Sequence, residues 1–271
     1  MPYRLAAFGD EISPDIQVEI DHLLDSGIRL CCLRGANAKG VLELEDFQVP
    51  LLKNQFFNRG VRFSVLASPI GKTPVSEPFE PELERFRLIS LRARQFETRV
   101  VRIYSFRLPD GADPADWRDE VLSRLTDLAT QARFEGLRLL LENARDQYGS
   151  TGERLAELLE SVGAENLMAT FDFANFVQAG VDPLAAWPTL KPWVKEFHIK
   201  DATRDGVVRP AGQGDGRLRE VLADALGGGW SGLLTLEPHL DKTPGFAELD
   251  GGRRFDAAAA ALKKLLAEIG A

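Results

Sequence analysis

The sequence predicts a single (β/α)₈ barrel spanning residues 1–271, and three observations carry that prediction. Eight apolar or β-rich runs end in polar residues, and helical patterns fill the gaps between successive runs. The 271 residues divide into about 34 per unit, enough for a strand, a covering helix and two loops. Strict alternation of strand and helix calls for a parallel sheet covered by helices, and eight strands favour closure over an open doubly wound sheet. The nucleotide-binding form of the open sheet is further disfavoured because no GxGxxG turn follows the first run.

In chain order the runs are RLAAFGDE, IRLCCLRG, VRFSVLASP, VVRIYSF, LRLLLENA, LMATFDFAN, VKEFHIKDA and GLLTLEPHL. The first helix is marked by Ser13 as cap, Pro14 at its first position, a 3–4 apolar spacing in IQVEIDHLL, and Gly27 at its end. A similar start at Ser150 or Thr151 precedes GERLAELLESVG, with Gly163 at the stop, and another follows Asp182 and Pro183. A last helix near FDAAAAALKKLLAEIG is expected to seal the barrel.

Composition narrows the function classes. Lys and Arg total 33 against 41 Asp and Glu, a formal net charge of −8 that opposes a phosphate backbone, so no nucleic acid partner is expected. The longest apolar runs are of strand length, and the start MPYRLAAFGDE has neither a basic segment nor an apolar stretch suited to secretion. A soluble, cytoplasmic protein with no membrane partner is the expectation, and homo-oligomerisation is left open. Cys31 and Cys32 are neighbours that face opposite ways in a strand, so they read as small hydrophobes rather than a disulfide.

Four acidic or imidazole side chains stand at the polar ends of apolar runs: Glu142 in LLLEN, Asp172 in ATFDFAN, His198 in EFHIKDA and Glu237 in LLTLEPH. Their separations of 30, 26 and 39 residues place each at the end of a consecutive strand, where a parallel barrel carries its chemistry. Parity agrees: Glu196, His198 and Lys200 share one face, Thr235, Glu237 and His239 share another, and Thr170 aligns with Asp172. Such a cluster in one barrel mouth demands a cation or a proton between its members. Three carboxylates and one imidazole suit one divalent metal ion, Mn²⁺, Mg²⁺ or Zn²⁺, over a thiolate-selecting metal. With only His22, His198 and His239 in the chain, a histidine-rich multi-metal nuclease site cannot be assembled. Glu11, Arg34, Lys72 and Tyr104 follow or end the first four runs and are candidates for lining the substrate cleft. The GQGDG segment reads as a mobile covering loop, because it lacks the lysine and the strand-then-helix context of a phosphate cradle.

At LLLEN, FDFAN, EFHIKD, GQGDG and LLTLEPH, and again at FGDEIS and SPIGK, the chain resembles the sugar phosphate isomerase/epimerase group of xylose-isomerase-like TIM barrels. The resemblance runs over essentially the full chain but is not specific to one substrate. It implies that Glu142, Asp172, His198 and Glu237 are the four metal ligands and that Glu142 and Glu237 exchange protons with substrate. It also implies substrate contacts for Arg204, and for Asn175, which stands where the epimerases commonly carry a histidine. Lys200 and Asp201 complete a His-x-Lys-Asp motif, with Gly212, Gly214 and Asp215 in the following loop.

The function expected is a divalent-metal-dependent isomerase or epimerase. It would act on a small sugar or polyol-ketone through an enediolate formed by glutamate-mediated proton transfer. The alternatives are a metal-dependent dehydratase of the inosose or dehydroshikimate type, with His239 or Lys200 as the acid, and a non-catalytic sugar-binding barrel.

Overall fold

The computed structural model describes residues 3–271; Met1 and Pro2, the first residues of the start read above, lie outside the described residues. The strands are β1 (Tyr3–Phe8), β2 (Leu30–Leu33), β3 (Arg62–Ala67), β4 (Val100–Ile103), β5 (Arg138–Glu142), β6 (Leu167–Asp172), β7 (Val194–Ile199) and β8 (Gly232–Leu236). Seven lie within their predicted runs, and β1 begins one residue ahead of its run, at Tyr3. All neighbours pair in parallel, and the sheet closes in the order β1-β8-β7-β6-β5-β4-β3-β2. Two short antiparallel ladders lie outside the barrel, Gly35–Ala36 with Lys39–Gly40 and Asp201–Ala202 with Val208–Arg209.

Alternation along the strands produces two apolar layers. Ala6, Phe8, Cys32, Val65, Ala67, Leu140 and Leu233 pack together inside the barrel. A larger layer between strands and helices includes Cys31, Ile103, Leu141, Phe171, Phe197 and Leu234. Cys31 and Cys32 therefore serve opposite faces, and both thiols are free.

The helices among the described residues are α1 (Ile16–Asp25), α2 (Gln48–Asn58), α3 (Glu80–Gln95), α4 (Pro114–Phe134), α5 (Gly152–Val162), α6 (Phe173–Gln178), α7 (Pro183–Leu190), α8 (Leu218–Gly227) and α9 (Gly251–Glu268). The start of α1 differs from expectation. Asp15 is the cap, accepting from Gln17 N at 2.8 Å, while Ser13 Oγ accepts from Asp15 N one step earlier, so Pro14 precedes the cap. The Asp15 carboxylate meets the open amides of the first turn, where a negative charge is favoured. Thr151 caps α5 and Gly163, at φ 58°, stops it; Asp182 caps α7. The last helix begins at Gly251, ahead of the predicted FDAAA segment, because Asp250 accepts from Arg253 N. No described helix is long and apolar enough to cross a membrane.

Gly71 is the glycine that matters for the mouth of the barrel. At φ +80° its backbone lies against the Tyr104 carbonyl, which any Cβ would strike, and its N–H donates to the buried Glu82 carboxylate. This close approach seats the SPIGK loop beside β4.

Candidate metal centre

Strand register converges the four predicted ligands. Glu142 and Asp172 are the last residues of β5 and β6, His198 pairs with Asp172 in register, and Glu237 directly follows β8. All four are buried, Asp172 and His198 completely. One ligand atom from each lies within 4.8 Å of the others. His198 Nδ1 is 3.3 Å from Glu237 Oε2, 3.4 Å from Glu142 Oε1 and 3.8 Å from Asp172 Oδ2, yet it has no hydrogen-bond partner. An imidazole nitrogen buried among three carboxylates without a hydrogen bond has the arrangement of a metal ligand. The donor set fits a divalent ion.

Below the cluster, Glu196 is completely buried and bonded on both oxygens. Thr170 Oγ1 donates to Oε2 at 2.9 Å and Thr235 Oγ1 to Oε1 at 2.5 Å, while Oε2 stands 3.4 Å from His198 Nε2. Phe8 meets the imidazole edge-on at 5.2 Å. A carboxylate behind a ligating histidine fixes its orientation and tautomer.

Charge is divided unequally within the cluster. Burial works against ionisation of Glu142, but His198 and Arg102 outweigh it and hold the carboxyl down at about 2. Burial also opposes ionisation of Glu237, and Lys200 and His239 override it to hold that carboxyl well below the usual range. Asp172 goes the other way, pushed up to about 6 by burial that Lys200 only partly offsets. Burial disfavours the His198 imidazolium, yet Glu142 and Glu196 raise it well above the ordinary histidine value.

Several other predicted site residues gather here. Lys200 Nζ lies 2.8 Å from Asp172 Oδ2 and 3.1 Å from Glu237 Oε2. Asn175 Nδ2 donates to Glu142 Oε1 at 3.0 Å and to Asn143 O at 2.9 Å, and its backbone N–H donates to Asp172. On the rim, Arg34 donates to Asp10, Glu11 and Glu237, and His239 Nε2 is 2.9 Å from Glu11 and 3.1 Å from Glu237. A cavity of about 740 Å³ opens here, its lining including Glu11, Arg34, His239 and Arg254. Lys72 stands over the Tyr104 ring at 4.7 Å, and Tyr104 is buried.

Two predicted residues are placed differently. Asp201 is turned into the glycine loop, accepting from the N–H groups of Ala202, Gly214 and Gly216, so its carboxylate serves the loop backbone. Arg204 is exposed and lines a separate cavity of about 230 Å³ with Asp182, Asp215 and Arg217, where its N–H donates to Asp215.

Arg102 and Glu196 are site residues that the sequence reading did not assign. Arg102 is 2% exposed, its Nε lies 3.1 Å from Glu142 Oε2, and its guanidinium stacks over Tyr104 at 4.3 Å. Its Nε and Nη1 have no hydrogen-bond partner. The available signal was parity, since an arginine inside VVRIYSF on the same face as Tyr104 must point into the barrel.

A closed parallel barrel with carboxylates and one histidine at its strand ends defines a class, and the sequence places the chain within it. The chain belongs to the xylose isomerase-like TIM barrel family, whose sequence model matches residues 26–265. Among characterised proteins it is similar to a 3-dehydroshikimate dehydratase of Bacillus anthracis, 24% identical over 127 residues that cover 47% of this chain and 45% of that protein. The match thus spans just under half of that relative. Among solved structures it is similar to the probable 3-DHS dehydratase AsbF of Bacillus anthracis, with TM-score 0.77, 17% identity, and coverage of 97% of this chain and 99% of that one. It is also similar to the IOLI protein with a bound zinc atom, with TM-score 0.82, 16% identity, and coverage of 98% and 99%. The buried cluster and the family together support a metal-dependent, sugar-processing enzymatic role.

Proposed function

We propose that the chain is a divalent-metal-dependent lyase that removes water from a small hydroxy-keto acid of the dehydroshikimate type. The observation that carries this reading is Arg102, a buried guanidinium beside the four-ligand cluster whose Nε faces Glu142 at 3.1 Å and whose Nη1 has no hydrogen-bond partner. A fixed fork of this kind suits a substrate carboxylate, for which a neutral ketose has no counterpart. The 24% identity to a 3-dehydroshikimate dehydratase supports the same substrate class.

A divalent ion held by Glu142, Asp172, His198 and Glu237 would supply Lewis-acid polarisation of the substrate carbonyl. A carboxylate held down at about 2 is a weak base, so Glu142 requires that polarisation. Glu142, oriented by the Asn175 amide, takes the proton from the carbon beside the carbonyl. The electron pair of that C–H bond forms the new C=C bond as the C–O bond to the neighbouring hydroxyl breaks. His239 gives the departing oxygen the proton with which it leaves as water. Burial disfavours the His239 imidazolium, but Glu237 and Glu11 override it and push it up to about 9, so it carries that proton at neutral pH.

A second reading, isomerisation or epimerisation of a ketose, draws on Glu142 and Glu237 both approaching His198 Nδ1, at 3.4 Å and 3.3 Å. The two readings separate by product. Incubating the Mn²⁺-loaded protein with 3-dehydroshikimate is expected to give ultraviolet absorbance from an aromatic product, and Glu142→Gln to reduce that rate by at least ~100-fold. Absence of an aromatic product, with deuterium from heavy water entering carbon-bound positions of ketoses, would overturn the lyase reading in favour of the second.

A further inference from the structure

Glu237 turns its two oxygens to two different sets of partners. Oε2 faces His198 Nδ1 at 3.3 Å and Lys200 Nζ at 3.1 Å, inside the four-ligand cluster. Oε1 faces His239 Nε2 at 3.1 Å and Arg34 Nη1 at 3.2 Å, on the rim. A carboxylate disposed in this way is the bridging element of paired-cation sites. The rim side is itself a donor set, because Glu11, Glu237 and His239 each present an atom within 4.8 Å of the others.

A cation already stands there. Arg34 Nη2 is 3.1 Å from Glu11 Oε1, and Nη1 is 3.3 Å from His239 Nε2. Asp10 grips the guanidinium from behind, with Nε to Oδ2 at 2.8 Å and Nη2 to Oδ1 at 3.2 Å, and the group stacks over the Phe8 ring at 4.9 Å. Three carboxylates, Asp10, Glu11 and Glu237, and the imidazole of His239 therefore surround one guanidinium. This is the same composition as the first centre, where three carboxylates and one imidazole are the ligands.

We infer that Arg34 is the fixed second cation of the centre, filling a position that Glu11, Glu237 and His239 would otherwise offer to a metal ion, and so keeping the site mononuclear. The inference rests on the metal reading of the first cluster. A guanidinium keeps its charge across the working pH range and cannot be removed by chelation, unlike a second ion. It also occupies Glu237 Oε1, while Oε2, which Lys200 contacts at 3.1 Å, is the oxygen turned toward the first centre. The side chain that ties the two positions together is one of the two proton-transfer glutamates expected from the sequence, so the number of ions bears directly on its basicity.

Mn²⁺ counting by elemental analysis after equilibrium dialysis tests the inference, with paramagnetic resonance as a second readout. The expected result is one Mn²⁺ per wild-type chain with an uncoupled signal. Arg34→Leu is expected to bind two with an exchange-coupled signal, since Glu237 would bridge them. Arg34→Lys, which keeps a cation, and Arg34→Leu with His239→Ala, which removes a donor, are both expected to return to one. Arg34→Gln serves as a shape-preserving neutral variant if Arg34→Leu does not fold by circular dichroism. Two ions in the wild type, or one ion in the folded neutral variants, would overturn the inference while leaving the metal reading standing. A wild type that binds none would overturn both.

Discussion

Lys200 places its ammonium 2.8 Å from Asp172 Oδ2, within the ring of carboxylates that presents a divalent site. Its second contact, with Glu237 at 3.1 Å, makes it a counter-charge shared by two ligands. An incoming divalent ion must compete with this ammonium for the same oxygens. Lys200→Met keeps the length of the side chain and removes the charge. The expected outcome is Mn²⁺ affinity raised about tenfold by calorimetry. Weaker Mn²⁺ binding in the variant would refute the competition.

Glu196 is held by Thr170 and Thr235 so that one oxygen stands behind His198 Nε2. Replacing this carboxylate by an amide leaves the packing nearly unchanged but removes the charge that orients the imidazole. Glu196→Gln is expected to lower metal affinity by about 10–100-fold while leaving thermal stability of the metal-free protein close to wild type. Unchanged affinity would show that the histidine is oriented by its strand alone.

The pH dependence of metal uptake follows from two raised groups. Asp172, pushed up to about 6 by burial, carries its proton below that pH, and His198, raised by Glu142 and Glu196 against the effect of burial, holds its proton more tightly than an ordinary histidine. A metal binds the deprotonated forms, so both protons compete with it. Apparent affinity is expected to fall as pH drops through about 6, with more protons released on binding at pH ~5.5 than at ~7.5. Calorimetry in buffers of different ionisation enthalpy measures that difference directly, and equal release at the two pH values would contradict the assignment.

Glu19 lies outside the cluster, buried against Gly9, with Oε1 near Cys31 Sγ at 3.7 Å and Oε2 without a partner. Burial, with Asp10 adding to it, pushes its carboxyl up to about 8 from 4.5. Between those two pH values the folded chain holds a proton that the unfolded chain has released, so stability declines with rising pH across the window and levels off above about 8. Glu19→Gln is expected to flatten that decline, a difference on the order of a few kcal/mol between pH ~5 and ~8 in urea unfolding. A decline of the same size in the variant would assign it to other groups.

The barrel was legible because apolar runs and helical spacings recur at a regular interval, and local pattern determines both. Even β2 and β4, only four residues each, lie inside their predicted runs. The four ligands were legible for the same reason: strand parity and strand ends fix where a side chain points. Where position depends on loop conformation, the sequence carried less. Arg204 follows the Asp201–Ala202 ladder, whose reversal no periodicity announces, and Asp201 is claimed by backbone N–H groups of a loop that closes only in three dimensions. Arg102 and Glu196 obey the same parity rule as the ligands. They escaped assignment because their roles depend on neighbours from other strands, Glu142 on β5 for one and Thr170 and Thr235 on β6 and β8 for the other.

Asn175 illustrates how a local contact reshapes an expectation. The resemblance placed it against substrate, and the structure places its amide on Glu142 Oε1. That bond makes it a candidate for orienting the glutamate.

The four converging ligands all close strands on one side of the barrel, β5 to β8, whereas the guanidinium groups of Arg34 and Arg102 come from the β2 and β4 side. The candidate ligands and the two guanidinium groups therefore occupy opposite arcs of a single ring, joined by the contacts of Glu237 and Glu142. Substitutions on the β2–β4 arc leave every one of the four candidate ligands in place. A chain built this way can vary one half-barrel while the other keeps its ligand set.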